Sequence, residues 1–391
     1  MADERRPRGL GTRAVHAGEA PDPATGAIGT PIYQNSTFAF RSADQIDRFN
    51  SGEVPHYIYT RYGNPTVRCL ELKIADLEGS DTALATASGM AAISTVALHF
   101  VAGGGHMVVS DSLYPIAREF FRDGIADYGA SVTMVDATDL DAVRGAITAD
   151  TRAIYVETFS NPTLQVSDIP ALAEIAHDAG AALVVDNTFL SPALVQPIAL
   201  GADVVVHSAT KYLSGHGNLV GGVISGSHGT IRAMRNRIEQ LGGVMSPQNA
   251  WQLLHGIRTL PLRMRQHSTT AMAVARLMAA HDAVETVNYP GLPDHPGHAL
   301  AASMTGGQFS GMVSLRLVDH ERSRNIFLDA LEIPYKAVSL GDAVSLVWPF
   351  DEDGVIRLSI GIEDTDDLVD DVQQALDAVA AHLGAGSVAT A

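Results

Sequence analysis

Between residues 62 and 230, short apolar runs alternate with longer helix-like runs, and this rhythm restricts the chain to few architectures. The apolar runs fall at 83–87, 107–110, 132–135, 153–157, 183–186, 204–207 and 220–225. Most are separated by stretches with helical spacing of apolar residues, such as 66–77, 90–100, 117–125 and 169–179. A short unbroken apolar run suits a strand buried on both faces, and a helix between strands suits parallel pairing. The expectation is an α/β fold: a mostly parallel, seven-stranded sheet covered by helices on both sides. In such sheets ligands bind beyond the carboxyl ends of the strands. That rule gathers Ser88, Tyr114, Glu157, Asp186 and Lys211 at one edge, although they are scattered in sequence.

The remainder of the chain reads differently. Residues 1–60 are rich in Gly, Pro and polar side chains, yet 30–38 and 57–61 carry aromatics, as an arm that docks on something would. After 245 a helical stretch runs to about 278, with Pro261 expected to kink or break it, since proline removes a donor and clashes with the preceding turn. Strands at 312–317 and 355–360 and an amphipathic helix at 365–383 follow, giving a smaller α+β domain. The boundaries expected are an arm at 1–60, an α/β domain at 61–245 and an α+β domain at 246–391, with a frayed tail from Gly384.

Composition excludes several classes of function. A formal charge of −18 argues against nucleic acid or an anionic membrane as partner, so a bound anion must be held by local donors. The single cysteine, Cys69, rules out an intrachain disulfide framework and fits a reducing compartment. No apolar run is long enough for a membrane span, and the first residues lack the apolar core of a secretory signal. Cytoplasmic localisation is the expectation.

One polar turn stands out for chemistry. The strand at 204–207 runs into Ser208-Ala-Thr210-Lys211, placing a lysine where a solvated charge is unusual. Twenty-five positions upstream, the strand at 183–186 ends in Asp186. A lysine and an aspartate at neighbouring strand ends are what pyridoxal 5'-phosphate (PLP) needs. The lysine binds its aldehyde covalently, and the acid keeps the pyridine nitrogen protonated so that the ring withdraws electrons. Ser88-Gly89-Met90 opens a helix after a strand, and free amides there suit a phosphate. The hydroxyls of Ser208 and Thr210 could clamp the same phosphate or cap a turn. Tyr114 could stack on a ring and move a proton, or be a half-buried core tyrosine. Asn161 could reach the cofactor's phenolic oxygen or make a turn. Arg357, inside an apolar strand, could take a carboxylate through two donors or face solvent on an edge. His295 and His298 have no third ligand cluster beside them, and no metal site is expected.

Taken together, these motifs resemble the PLP-dependent enzymes of cysteine and methionine metabolism, the trans-sulfuration group that includes cystathionine γ-synthase and cystathionine γ-lyase. The matching segments are Tyr59-Thr-Arg-Tyr-Gly-Asn-Pro-Thr66, Ala87-Ser-Gly-Met-Ala-Ala92, Val185-Asp-Asn-Thr-Phe189, His207-Ser-Ala-Thr-Lys-Tyr-Leu-Ser-Gly-His216, Ser339-Leu-Gly341 and Arg357-Leu-Ser-Ile-Gly361, in the family's order. The resemblance implies PLP-dependent transferase fold type I and a homotetramer built as a dimer of dimers, with sites shared across the tight dimer. It implies that Lys211 carries the cofactor, Asp186 meets its ring nitrogen and Tyr114 stacks on its ring. Ser88, Gly89, Met90, Ser208 and Thr210 would hold the phosphate, reached also by Tyr59 and Arg61 of a neighbouring subunit. Asn161, Ser339 and Arg357 would receive the α-carboxylate of a small amino-acid substrate.

The implied reaction is γ-elimination or γ-replacement on a homoserine- or homocysteine-derived amino acid. Lys211 would move the α-proton and Tyr114 would protonate the γ leaving group. O-acetylhomoserine sulfhydrylase, cystathionine β-lyase and aminotransferase activities are the alternatives. The chain departs from the family at Pro115-Ile116, where glycine or cysteine is common, and at His255, where arginine is usual. It departs again at Trp348-Pro349, followed by a shortened connection to the strand of Arg357. In relatives that connection helps line the substrate entrance, which leaves room for a specialised γ-substituted amino acid.

Overall fold

Seven of the strands expected from the apolar runs join one sheet in the computed structural model, which describes residues 8–350 and 354–388. They are β1 (Thr82–Thr86), β2 (His106–Ser110), β3 (Ser131–Val135), β4 (Thr151–Glu157), β5 (Ala182–Asp186), β6 (Val204–His207) and β7 (Gly222–Gly226), in the order β1-β7-β6-β5-β4-β2-β3. β3, β2, β4, β5 and β6 run parallel, while β7 is antiparallel to both β6 and β1. The exception has a local cause: residues 208–221 form turns around Lys211 rather than a covering helix, and the chain re-enters the sheet in the opposite sense.

β1, β2, β5, β6 and β7 are buried over nearly their whole length, as the unbroken apolar runs required. The helix expected at 117–125 is instead a short α-helix, Pro115–Glu119, followed by a π turn, Phe120–Gly124, and a 3-10 turn, Ile125–Tyr128. Phe121 is fully buried there, its ring 4.9 Å from that of Tyr155.

The carboxyl-terminal part holds five strands where two were expected. They are β8 (Val284–Asn288), β9 (Met312–Leu317), β10 (Tyr335–Lys336), β11 (Leu346–Phe350) and β12 (Val355–Ser359), in the order β10-β11-β12-β9-β8. The segment around Trp348-Pro349, not among the strands expected from sequence, is therefore a strand. Pro349 is tolerated because β10 reaches only Leu346 and Val347, and no outer partner needs a donor at 349. Residues 351–353 of the connection lie outside the described residues, as do 1–7 and 389–391.

Pro261 does break the long helical stretch, into Pro247–Arg258 and Leu260–Ala279. It sits in the first turn of the second helix, where its missing N–H costs nothing. The terminal helix, Thr365–Val388, continues past the point where fraying was expected. No helix among the described residues is long and apolar enough to cross a membrane.

The amino-terminal segment is tied down by a buried ion cluster. Lys73 is fully buried on the helix Pro65–Glu78, donates to the Ala14 and Val15 carbonyls, and pairs with Glu19 at 3.1 Å. Arg258 meets the other Glu19 oxygen at 2.6 Å and Thr30 donates to it at 2.9 Å. Burial opposes ionisation of Glu19, but Arg258, Lys73 and Thr30 outweigh it and hold the carboxyl below its ordinary 4.5. Glu19→Ala leaves Lys73 buried and unpaired, and should cost about 3 kcal/mol of stability, read as a lower unfolding midpoint. A depressed carboxylate stabilises fully above its unfolded value. This contribution should therefore be complete above pH 4.5 and fade as the pH falls below it, while Glu19→Ala shows no such loss.

Candidate active site

β4, β5 and β6 end side by side, with Glu157 opposite Asp186 and Asp186 opposite Val206 in the sheet register. Beyond these ends lies a cleft of about 270 Å³. Ser88, Gly89, Met90, Tyr114, Asn161, Asp186, Ser208, Thr210 and Lys211, all singled out from sequence, line it together with Glu157, Thr188, Phe159, Phe189 and Leu340.

The chain contains three lysines: Lys73, Lys211 and Lys336. Lys73 is consumed in the buried ion cluster and Lys336 lies exposed on the two-residue strand β10. Lys211 alone lines the cleft. Its Nζ donates to Ser339 Oγ at 2.7 Å. Burial, and secondarily the charge of Arg357, lower its pKa to about 8. A lysine held there is neutral far more often near neutral pH than an ordinary lysine, although still in a minority of molecules, and the neutral form is the one that attacks carbonyls and takes up protons.

Asp186 is buried, and burial raises its carboxyl above the ordinary range. Donors from the Thr188 hydroxyl and amide and from the Tyr155 hydroxyl offset part of that rise. Thr188 Oγ1 also accepts from the Ser208 amide at 2.8 Å, linking the aspartate loop to the lysine turn. Glu157 is held well above the carboxylate range, first by burial and then by Asp186.

Against the lysine turn, Ser88 caps the helix Gly89–Phe100, its Oγ accepting from the Ala91 amide at 3.0 Å. The Gly89 and Met90 amides stand at the open helix end, where an anion is favoured. Gly89 also packs so closely on Ser208 that a Cβ would come 2.8 Å from the Ser208 Cβ, so this wall needs glycine. The Thr210 hydroxyl both donates to the Gly221 carbonyl and accepts from the Gly221 amide, and so shapes the turn as well as facing the cleft.

The second sheet supplies the far end of the site. Arg357 is 5% exposed on β12, and donates from Nη1 to Asn161 Oδ1 at 2.6 Å and from Nη2 to the Ser339 carbonyl at 3.0 Å. Its Nε has no hydrogen-bond partner among the described residues. Burial lowers its pKa to about 10, so it stays charged near neutral pH. Ser339, at φ +92°, holds Lys211 through its side chain and Arg357 through its carbonyl. Phe350 was not picked from sequence; its ring centre lies 4.8 Å from the Arg357 guanidinium carbon, and Trp348 pairs directly with Arg357 across the strands.

Ser339 and Arg357 do not line the cleft themselves but are tied to it through Lys211 and Asn161, and two further predicted residues are not brought to it. Tyr59 is half-exposed, and Arg61 donates to the Glu239 carbonyl at 2.6 Å with its guanidinium 5.4 and 4.8 Å from the Tyr59 and Tyr62 rings. Within one chain they lie outside the lysine site.

Residues 11–349 match the family model described as Cys/Met metabolism PLP-dependent enzyme. The chain belongs to that family. It is 39% identical to the L-methionine gamma-lyase of Pseudomonas putida, over 95% of this chain and 98% of the relative. It is 41% identical to the cystathionine gamma-synthase of Mycobacterium tuberculosis, over 94% and 97% of the two chains. Among solved structures it resembles metB of Corynebacterium glutamicum (TM-score 0.89, 36% identity, 95% of this chain and 98% of the other). It also resembles a putative O-acetylhomoserine (thiol)-lyase of Campylobacter jejuni (TM-score 0.89, 30% identity, 95% and 100%) that carries an N'-pyridoxyl-lysine-5'-monophosphate. The chain is accordingly a PLP-dependent lyase or synthase, with the sheet fold expected from its sequence.

In apoprotein, acylation of Lys211 should rise with pH through a midpoint near 8. Arg357→Leu should move the midpoint upward, because a neighbouring cation has been removed. Peptide mapping across the pH range checks both; a midpoint near 10.5, the ordinary lysine value, would count against the burial and the charge described.

Proposed function

We propose that the chain catalyses γ-elimination or γ-replacement on a homoserine- or homocysteine-derived amino acid, with Lys211 as the lysine that holds PLP. The observation carrying this reading is the hydrogen-bonded series Lys211–Ser339–Arg357–Asn161, which ties an amine of lowered pKa in the cleft to a buried guanidinium. When bound, PLP supplies an aldehyde and an electron-withdrawing ring.

The donor set fits the cofactor. Gly89 and Met90 offer helix-end amides to a phosphate, with Ser88, Ser208 and Thr210 beside them. Asp186 sits across the cleft for a ring nitrogen, Asn161 for the phenolic oxygen, and Tyr114 covers the opening. Arg357, with its unpartnered Nε, takes the substrate α-carboxylate, aided by Asn161 and Ser339. Lys211 removes the α-proton and passes it on, and Tyr114, 42% exposed at the cleft mouth, protonates the leaving group at the γ-carbon.

Elimination and replacement stand together because the relatives carry names of both kinds. Trp348 and Phe350 give the arginine end an aromatic wall, which suits a specialised γ-substituent. The exposed arm, with Ile28 at 85% and Tyr33, Tyr59 and Tyr62 half-exposed, docks on a second copy and carries Tyr59 and Arg61 toward its phosphate site. The assembly is a homotetramer working in the cytoplasm.

A substrate panel tests the reaction: O-acetyl- and O-succinylhomoserine with and without a thiol, cystathionine, methionine and non-protein γ-substituted amino acids. The expected product of elimination is 2-oxobutyrate. Pyruvate would indicate β-elimination, and a requirement for a second 2-oxo acid would indicate amino transfer. Lys211→Ala should lose visible cofactor absorbance and turnover; retained turnover would sink the assignment. Arg357→Leu should lower kcat/KM by about 3 kcal/mol, roughly 100-fold, through the loss of a paired carboxylate contact.

A further inference from the structure

Glu157 is buried at the end of β4 and was not among the residues assigned a role from sequence. Its two oxygens face two different loops. Oε1 accepts the Tyr114 amide at 2.9 Å, and Oε2 accepts the Asn161 amide at 3.0 Å. One loop follows β2 and the other follows β4, and these strands are neighbours in the sheet. The chain leaves β2 for β3 on one side and returns to β4 on the other, so Glu157 stands where the strand order reverses and a crevice opens. Burial raises this carboxyl and the two backbone donors oppose the rise; neutral or ionised, each oxygen keeps a lone pair that accepts an N–H. Those donors belong to the residue before the helix Pro115–Glu119 and to the residue that receives Arg357.

We propose that Glu157 is a positioning residue: a two-oxygen clamp that fixes Tyr114 and the Asn161–Arg357 pair relative to one another across the substrate site. The clamp never touches substrate. It acts through two main-chain amides, so side-chain changes at Tyr114 leave it in place, while a change at Glu157 loosens both loops. An amide at 157 presents one acceptor and one NH2 group, and the NH2 group faces a donor, so one loop is released. The inference rests on the PLP reading of the cleft, because it concerns the spacing of residues about the amino-acid substrate.

The test is a double-mutant cycle on purified holoenzyme, with the cofactor band recorded for every variant. Glu157→Gln should retain the visible band, since Lys211 and the phosphate wall are untouched, and should raise KM for the amino acid about tenfold. In an Asn161→Ala background the same change should move KM by less than about twofold, because the link to Arg357 is already cut. Glu157→Asp, one methylene too short to span both amides, should behave like Glu157→Gln. Equal effects in the two backgrounds, or failure of both Glu157 variants to give folded holoenzyme, would overturn the clamp. A wild-type protein without a cofactor band would instead overturn the PLP reading itself.

Discussion

The site depends on one residue with an unusual backbone. Ser339, at positive φ, accepts Lys211 with its side chain and Arg357 with its carbonyl, and so brings two cations toward the same cleft. Two buried cations repel, and the lowered pKa of Lys211 is part of that cost. The neutral lysine is the reactive one, so the repulsion serves the chemistry. Backbone strain at a position fixed from both sides is the pattern of a functional residue rather than a defect.

Around that point, the two sheets divide the work. The first sheet is a rigid base: β4, β5 and β6 place Glu157, Asp186 and the Lys211 turn by parallel register alone. The second sheet brings Arg357 on β12, braced on β11 by the Phe350 ring and by Trp348 opposite. A guanidinium over an aromatic face keeps its charge with less water, which suits a carboxylate receptor. The first sheet thus supplies the cofactor base, and the second adds an aromatic strand beside Arg357.

Much of this was legible in the residues. Asp186 and Lys211 announced themselves because one ends a short apolar run and the other stands in the polar turn just after one, and the sheet rule then drew in Ser88, Tyr114 and Glu157. The second sheet was poorly legible. β10 has two residues, β8 mixes polar and apolar side chains, and β11 contains Pro349, which normally argues against a strand. The antiparallel entry of β7 was also hidden, because nothing in an apolar run records its direction. Glu157 gave a signal, a carboxylate ending a buried strand, but its partners are main-chain amides that carry no sequence signature. Tyr59 and Arg61 match the family motif yet lie outside the cleft of a single chain.

The central claim is that Lys211, among three lysines, is the one that holds PLP. Borohydride reduction of purified holoenzyme, followed by digestion and peptide mapping, tests it most directly. The account predicts a phosphopyridoxyl group on Lys211 and none on Lys73 or Lys336. A label on either of those two, or no label on a protein that turns over substrate, would contradict it.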